Sequence, residues 1–505
     1  MYRMLDHLDH VGIRFISSSL VAVATLSGCA IHPGVSATNS GLRTVSGSTT
    51  TVTEFERVVD AAIGKAGVAG LSVAIVNDRK IVYTHQFGWK DKDAGTRLDD
   101  TTVFAGASLS KTVFAYLTLL LTGDGLIDLD KPLEAYLPRP LPTYPGYADL
   151  ANDDRYHAIT ARMVLSHTTG LPNLRSETAD GRLRLMFQPG SRFNYSGEGI
   201  QLLQLLVETV TKSDLETLAR DRVFVPLGMA HTSYVWRDAF ANNVAAPHNE
   251  FEWASDPDRP PTANAAGSLF TTAHDYARLL VGVLAARGRQ EKVVETMFTP
   301  TVPITSFRMF GRGVGALSPG NTAKHLAWAL GWGTFETPNG RAAFHTGHKG
   351  GAQNYAVAFL DRGAAIVLLS NSDNFESVAP EIVAAGLGDR DSPFDWLGYQ
   401  LFDPAMRKVA PARLVATQVP ASVIAAYAGE YQLGPDAVTR IKADGGRLYA
   451  SDDGQSWDEL LAKSEAVFFF KGRTLTITFA KDASGKVTHM DIDTGAAMLR
   501  AQRIR

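Results

Sequence analysis

The sequence predicts an α+β protein, in which a large body of antiparallel strands and helices precedes a small all-β domain. Two patterns indicate the body: residues 70–88 read as a strand, a turn and a second strand, and residues 108–121 as an almost wholly apolar helix. Beyond residue 421 short strands alternate with turn residues, which is typical of an antiparallel barrel or sandwich. At 505 residues, 45% apolar and 20% charged, the chain is globular in composition and too long for one ordinary domain.

The N-terminus has the features of an export signal. An apolar run of about a dozen residues follows Arg14, which is the length of a signal-peptide core and too short to span a bilayer. The run ends in a Leu-Ser-Gly-Cys sequence that resembles a bacterial lipobox, in which Cys29 is lipidated. The alternatives are an ordinary signal peptide, or a buried segment with an incidental cysteine. We predict a lipoprotein signal peptide over residues 1–29 and a bacterial cell-envelope protein, held at the membrane by lipid alone and facing the periplasm or the outer surface.

Charge and cysteine content exclude several classes of protein. A net charge of −3, without a tract rich in lysine and arginine, gives no electrostatic basis for binding nucleic acid. Cys29 is the only cysteine, so the chain cannot form an intramolecular disulfide. No Cys/His spacing typical of a zinc site is present, and we predict neither a metal nor a cofactor. The oligomeric state stays open.

Composition divides the rest of the chain into four segments. The Ser-, Thr- and Gly-rich residues 30–50 predict a flexible tether. The body covers residues 51–390, and the prolines of residues 391–420 predict a linker to the small β domain at 421–505.

Apolar spacing and turn residues predict the elements of the body in order. They are a helix over 53–66, the hairpin at 70–88, the helix from Ser108, a loop over 126–158, a short helix within 159–170, a helix over 199–211, a helix capped by Thr271 or Thr272, and strands over 355–360 and 364–369.

Ser108 and Lys111 are the first candidates for chemistry. A spacing of three places both side chains on one face of a helix, within hydrogen-bond reach. A serine hydroxyl becomes a nucleophile only when a base takes its proton, and a desolvated lysine can be neutral enough to do so. The N-terminus of the helix adds free N–H groups and a partial positive charge where an oxyanion would form. The alternative is a serine at the start of a core helix with a lysine at its edge.

Three separated pieces support the chemical interpretation: Ser-Leu-Ser-Lys at 108–111, Tyr-Ser-Gly at 195–197 and His-Thr-Gly at 345–347. Their order and spacing resemble the serine β-lactamase-related family, which contains class C β-lactamases, D-alanyl-D-alanine carboxypeptidases and β-lactamase-like esterases. The resemblance covers roughly residues 51–390. The tail resembles, more loosely, a small barrel domain appended to some relatives. Supporting stretches lie at 165–172, 226–229 and 266–275.

The resemblance implies an antiparallel sheet with helices on both faces, an all-helical subdomain beside it, and a site in the cleft between them. It makes Ser108 the nucleophile, Lys111 its partner and Tyr195 a proton shuttle acidified by nearby cations. Whether Lys111 or Tyr195 takes the first proton stays open. The reaction implied is acyl transfer through an acyl-enzyme that water releases.

The same resemblance assigns the substrate-binding and oxyanion positions, which are Gly197, His345, Thr346, Gly347 and His348. The edge strand at Thr346 and Gly347 would bind the substrate backbone, and the N–H groups of Ser108 and His348 would form the oxyanion hole. Taken alone, Tyr195 can be a half-buried aromatic and His345 a surface turn residue.

Two departures from the family pattern bear on the substrate. Gly197 stands where the family has asparagine, so no side-chain amide holds a substrate carbonyl or Lys111 there. His345 replaces the lysine of true β-lactamases, and histidine is mostly neutral at pH 7. Both departures favour an esterase or a D-amino-acid peptidase, acting on a small molecule or short peptide, over a β-lactamase. We interpret His167, in a His-Thr-Thr-Gly sequence, as a structural residue that caps a turn.

Two further alternatives stay open. One is a catalytically idle relative that binds penicillin or peptidoglycan fragments. The other gives the C-terminal domain the role of a lid over the cleft.

Overall fold

A computed structural model describes residues 41–505, except 179–180, 312–314, 435–436, 453, 455–456 and 495–496. The predicted signal peptide with Cys29, and residues 30–40 of the predicted tether, lie outside the described residues. The described chain forms a body of mixed helix and sheet and a closed all-β barrel, which confirms the predicted fold class.

Thirteen strands belong to the body within the described ranges. In chain order they are β1 (Leu42–Arg43), β2 (Thr49–Thr50), β3 (Gly70–Asn77), β4 (Lys80–Asp91), β5 (Thr96–Arg97), β6 (Phe104–Ala107), β7 (Leu269–Thr271), β8 (Val302–Pro303), β9 (Ala327–Trp328), β10 (Gly333–Thr337), β11 (Gly340–Lys349), β12 (Ala352–Phe359) and β13 (Ala364–Ser370). The central sheet is antiparallel, in the order β5-β4-β3-β13-β12-β11-β10-β9-β8, and the pairs β1–β2 and β6–β7 lie outside it. The hairpin predicted at 70–88 and the strands predicted at 355–369 are confirmed.

The helices pack on the central sheet or beside it, except the last one, which packs on the barrel. In chain order they are α1 (Val52–Ala66), α2 (Ser110–Gly123), α3 (Ala161–Leu165), α4 (Gly197–Thr211), α5 (Leu215–Ala219), α6 (Val225–Leu227), α7 (Ala273–Leu284), α8 (Arg289–Phe298), α9 (Pro319–Ala323), α10 (Ala379–Leu387), α11 (Phe394–Leu397) and α12 (Ala421–Ala425). The side chain of Thr272 accepts from the N–H of Asp275, so Thr272 is the N-cap of α7.

Both faces of the central sheet are covered, which explains why every residue of β3, β12 and β13 is buried. Alternate residues of β3 divide between two cores: Val73 and Ile75 pack with α1 and α10, whereas Ala74 and Val76 pack with α2 and α7. Helices α3 to α6 share the second core with α2 and α8. This group is the all-helical subdomain, and α2 joins it to the sheet.

The C-terminal domain closes into an eight-stranded antiparallel barrel in the part of the chain that the structure describes, so of barrel and sandwich the barrel is correct. Tyr431, Phe468, Phe479 and Met490 fill its interior. Its strands are β14 (Gly429–Gly434), β15 (Ala437–Asp444), β16 (Arg447–Ser451), β17 (Asp458–Ala462), β18 (Val467–Phe470), β19 (Thr476–Lys481), β20 (Val487–Asp493) and β21 (Met498–Arg503).

Two stretches differ from the expected tether and linker. Residues 42–50 form the β1–β2 hairpin, in which Leu42 and Val45 are buried against the core that holds α1 and α10. In the linker, Trp396 on α11 is only 1% exposed and packs in that same core. A few large apolar side chains anchor these segments, although their average composition is typical of a flexible chain.

The barrel contacts the body through the turn between β18 and β19. Lys471 pairs with Asp256 at 3.0 Å, and Asn249 donates to the carbonyl of Gly472 at 2.9 Å. No helix in the described part of the chain has the length and apolar character needed to cross a membrane.

Candidate active site

Ser108 lies in the sharp turn between β6 and α2. Ala107, just before it, has φ +47, a backbone conformation that few residues with a Cβ adopt. The Ser110 hydroxyl holds the turn, because it donates to the carbonyl of Ala107 at 2.5 Å and accepts from the N–H of Leu269 at 3.0 Å. The turn leaves Ser108 partly exposed, two residues before the first residue of α2.

The amine of Lys111 lies next to the Ser108 hydroxyl. Nζ donates to Ser108 Oγ at 3.1 Å and to the carbonyl of Ala266 at 2.5 Å, and the side chain is 2% exposed. Burial lowers the pKa of Lys111 to about 7. A large fraction of the amine is therefore unprotonated at neutral pH and can accept a proton from Ser108.

Tyr195 forms the other wall of this site. Its ring lies 4.9 Å from Lys111 Nζ, and its hydroxyl lies close enough to Ser108 for that side chain to lower the phenol pKa. Burial raises the pKa of Tyr195 well above its ordinary value, which outweighs the lowering by Ser108. The expectation of an acidified phenol is therefore wrong: Tyr195 is a neutral phenol that can both accept and donate a hydrogen bond.

Two fully buried histidines pack against Tyr195. His345 Nδ1 lies 2.7 Å from the carbonyl of Thr346 and must donate to it, whereas His167 Nδ1 accepts from the N–H of Ser196 at 3.1 Å. Their rings lie 6.1 and 4.3 Å from the Tyr195 ring. Burial, followed by the charge of Lys111, lowers the pKa of His345 to about 3 and that of His167 well below its ordinary value. Both rings are neutral.

The role expected for His167 was a structural cap of a turn. Its carbonyl does accept from Asn194 at 2.7 Å, but its ring also forms part of the site wall. The sequence could not indicate this, because the contact depends on how the 167–173 turn meets the 194–197 loop.

Strand β11 approaches Ser108 along a free edge. Its pairing with β10 ends at Phe344, so among the described strands the backbone beyond that residue pairs with β12 alone. A Cβ on Gly347 would lie 2.5 Å from the carbonyl oxygen of Gly106 and 3.3 Å from the nitrogen of Ser108. Only glycine allows this approach, and the expected edge for substrate backbone lies beside the nucleophile.

The side chain of Thr346 does not face Ser108. Its hydroxyl bonds with the Tyr399 hydroxyl at 2.6 Å and donates to the carbonyl of Asn354 at 3.1 Å. Neighbouring residues of a strand point to opposite faces, so the strand that presents His345 to the site turns Thr346 away. His348 follows with its side chain half exposed, and its hydrogen bond to Glu376 raises the pKa of the imidazole.

Gly197 meets a residue that the sequence patterns did not indicate. Its N–H donates to Asn173 Oδ1 at 3.1 Å, and a Cβ on Gly197 would lie 2.7 Å from the Asn173 carbonyl oxygen. Ala266, which holds Lys111 through its carbonyl, was missed as well. A backbone acceptor leaves no side-chain pattern to find.

Among the described residues, no group of three or more histidine, cysteine or acidic side chains is placed to hold a metal. A cavity of about 440 Å³ lies elsewhere, along β8 to β11, and Ser108, Lys111 and Tyr195 do not line it.

Comparison with known proteins decides the family. A family model described as Beta-lactamase matches residues 55–387. The chain belongs to the beta-lactamase family. The recognition made from the three motifs is thereby confirmed, and the Ser108 turn, Tyr195 and β11 all lie inside the matched region.

Two curated relatives of this beta-lactamase family member match it over different shares of the chain. Penicillin-binding protein 4* of Bacillus subtilis (strain 168) is 22% identical over 427 residues, which are 79% of this chain and 87% of that protein. Protein flp of Staphylococcus aureus (strain N315) is 26% identical over 196 residues, which are 36% of this chain and 38% of that protein.

Solved structures share the fold of this beta-lactamase family member. An octameric penicillin-binding protein homologue from Pyrococcus abyssi has a TM-score of 0.54 at 18% identity, over 89% of this chain and 100% of its own. D-alanine carboxypeptidase AmpC from Burkholderia cenocepacia has a TM-score of 0.53 at 20% identity, over 66% and 98%. A class C beta-lactamase has a TM-score of 0.54 at 19% identity, over 67% and 99%. These similarities confirm the β-lactamase/transpeptidase-like fold.

Proposed function

We propose that the protein cleaves an ester or amide by way of an acyl-enzyme on Ser108. The observation that carries the proposal is the contact of the Ser108 hydroxyl with two groups that can move its proton: the Lys111 amine at 3.1 Å and the Tyr195 phenol. Membership of a family of serine hydrolases supports the same reaction class.

The proposed first step uses Lys111 as the base. A lysine with a pKa near 7 can accept the Ser108 proton, whereas the raised pKa of Tyr195 keeps its phenol from acting as a phenolate. Ser108 Oγ then attacks the substrate carbonyl carbon, and the N–H groups of Ser108 and His348 would stabilise the oxyanion. Each such donor contributes about 3 kcal/mol to the transition state.

The second half of the reaction releases the product. As the bond to the leaving group breaks, the proton held by Lys111 passes to that group through the Tyr195 hydroxyl. Water then attacks the acyl carbon and gives a proton to Lys111, and that proton returns to Ser108 Oγ as the acid leaves. Lys111 and Tyr195 end in the protonation states in which they began.

For the substrate we propose a small ester or a short peptide, with an esterase or D-amino-acid peptidase activity. The neutral His345 gives no permanent positive charge for a substrate carboxylate at this position. A β-lactamase activity is the alternative within the same reaction class, and an idle relative that binds penicillin or peptidoglycan fragments is the alternative outside it.

A fluorophosphonate probe and a fluorescent penicillin separate these alternatives. We expect the fluorophosphonate probe to label the wild type. The Ser108→Ala variant should lose both this labelling and the activity on p-nitrophenyl esters. Tyr195→Phe keeps the ring packing and should lower kcat by about 10²–10⁴-fold. Parallel assays with nitrocefin and D-alanyl peptides rank the substrate classes. A correctly folded wild type that neither probe labels would contradict the acyl-enzyme.

We also propose that the protein is exported and lipid-anchored through Cys29, because the lipobox resemblance follows a signal-like apolar run. Expression with a labelled fatty acid should label the wild type but not Cys29→Ala. Equal labelling of the two proteins would contradict the anchor.

A further inference from the structure

We propose that the side-chain amide of Asn173 replaces the amide that is missing at Gly197, and that it binds the acyl-side amide carbonyl of a peptide-like substrate. This inference rests on the proposed function, since it concerns the substrate of the same Ser108 site. It makes Asn173 the residue that distinguishes an acylated amino-acid substrate from a simple ester.

Space is the first argument. A Cβ on Gly197 would lie 2.7 Å from the carbonyl oxygen of Asn173 and 3.2 Å from its Oδ1. A side chain at position 197 therefore cannot enter without moving Asn173. The chain has glycine at the third position of Tyr-Ser-Gly because Asn173 already occupies that space.

Location is the second argument. The same Cβ would lie 3.8 Å from the Cβ of Ala266, and the carbonyl of Ala266 accepts from Lys111 Nζ at 2.5 Å. Asn173 is thus linked to the buried amine through Gly197 and Ala266. We therefore place a group bound to Asn173 at the Ser108 site.

Orientation is the third argument. The Gly197 N–H can only donate, so the atom of the Asn173 side chain that it meets at 3.1 Å must be the carbonyl oxygen. Nδ2 is therefore the other branch of the amide. Among the described residues Nδ2 donates no hydrogen bond, and the residue is only partly buried. Its N–H groups remain available to a ligand.

Rigidity is the fourth argument. The Asn173 N–H donates to Glu177 Oε2 at 3.1 Å, and the Ser196 hydroxyl donates to the carbonyl of Pro172 at 3.0 Å. Asn194 Nδ2 donates to the carbonyl of Leu171 at 3.3 Å. These bonds join the turn to the loop that carries Tyr195, so the amide is held in place before a substrate arrives.

The donor chemistry of the Asn173 amide indicates which kind of ligand group it can bind. Nδ2 donates only, so its partner is an acceptor such as a carbonyl oxygen. An acylated amino-acid substrate has an amide carbonyl close to the bond that Ser108 attacks, whereas a simple alkanoyl ester has none. A site that hydrogen-bonds one substrate group discriminates against analogues without it.

Two substrates with the same leaving group test the inference: the p-nitrophenyl esters of N-acetyl-D-alanine and of propionic acid. The key variant is Asn173→Asp, whose carboxylate still accepts from Gly197 but has no N–H to donate. We expect the ratio of kcat/KM for the acetylalanyl ester to that for the propionyl ester to fall about tenfold. Asn173→Ala, which removes the whole amide, should show the same fall.

Asn194→Asp is the matched control, because its amide bonds within the protein and should affect both esters alike. Fluorophosphonate labelling of Ser108 reports whether each variant is folded. An unchanged ratio in labelled Asn173 variants, or an equal fall in Asn194→Asp, would overturn the inference and leave the acyl-enzyme intact. Absence of labelling in the wild type would overturn both proposals.

Discussion

The N–H of Ser196 donates to Nδ1 of His167 over 3.1 Å, while the carbonyl of His167 accepts from Asn194. These two bonds join the turn that carries His167 to the loop that carries Tyr195, one on each side of the phenol. His167 has φ +56, in the left-handed region that favours glycine and asparagine. A fully buried ring in this conformation positions Tyr195 against Ser108.

Replacing His167 by alanine should loosen Tyr195. We expect His167→Ala to lower the free energy of unfolding by about 2–4 kcal/mol, because it leaves the buried Ser196 N–H unsatisfied and opens a cavity. It should also lower kcat more than it raises KM. His167→Asn keeps an acceptor and tolerates the positive φ, so its losses should be smaller. Urea unfolding measures the loss of stability, and ester kinetics measure the loss of kcat. Equal losses in the two variants would contradict a role of the His167 ring in positioning Tyr195.

The activity should depend on pH through Lys111. Since the unprotonated amine is the base, kcat/KM should rise with pH to a plateau, with a midpoint near the pKa of about 7. His345 and His167 have lowered pKa values, so the titration of these two rings should not change kcat/KM in this pH range. His348→Gln is the control, because that imidazole pairs with Glu376 and its loss should leave the midpoint in place. A profile that is flat from pH 5 to pH 9 would exclude Lys111 as the base.

The same lysine should make folding stability depend on pH. Its pKa is about 7 in the folded chain and near the ordinary 10.5 in the unfolded chain, so the unfolded state binds more protons between these values. Stability should therefore rise with pH across this window. Lys111→Met should raise the free energy of unfolding, on the order of 4 kcal/mol below pH 7 and progressively less towards pH 10. Thermal unfolding at several pH values measures this, and a gain that does not change with pH would contradict it.

How much the sequence could predict depends on the distance between partners along the chain. Ser108 and Lys111 are three residues apart, and helical geometry alone brings them together. The Tyr195 and His345 motifs were found by resemblance, because nothing local shows that a loop about 90 residues away and a strand about 240 residues away approach Ser108. Strand alternation would have predicted that the Thr346 hydroxyl faces away from the site.

Other features of the site could not have been predicted from a pattern. The acceptor for Lys111 is the backbone carbonyl of Ala266. Since every residue type has a backbone carbonyl, the sequence cannot indicate which one accepts this bond. Asn173 matters because of the space at Gly197, which only the folded backbone defines. The Tyr195 pKa was predicted in the wrong direction, since burial depends on how completely the surrounding aromatic rings enclose the phenol.

Weakening the contact between the barrel and the body tests whether the barrel is a lid over the cleft. A Cβ on Gly472, which has φ +71, would lie 2.4 Å from the carbonyl oxygen of Ala254, so Gly472→Ala should separate the β18–β19 turn from the body. Hydrolysis of a p-nitrophenyl ester should change by less than about twofold, because this contact touches neither Ser108 nor its partners. Gly485→Ala, in an open turn with φ +84, controls for backbone strain. A several-fold change confined to Gly472→Ala would favour a lid.

Gly347 should tolerate no side chain, because β11 and the Ser108 turn are too close. A Cβ there would lie 2.5 Å from the carbonyl oxygen of Gly106 and 3.3 Å from the nitrogen of Ser108. Both are backbone atoms, which cannot rotate away as a side chain can. We expect Gly347→Ala to push the strand from Ser108, to lower kcat/KM at least tenfold and to destabilise the fold by about 1–3 kcal/mol. Gly64→Ala is the control, since nothing lies within 4 Å of its Cβ in α1 and alanine favours a helix. Ester kinetics and urea unfolding of both variants decide the point: full activity in Gly347→Ala would mean that the edge of β11 does not form the wall of the site.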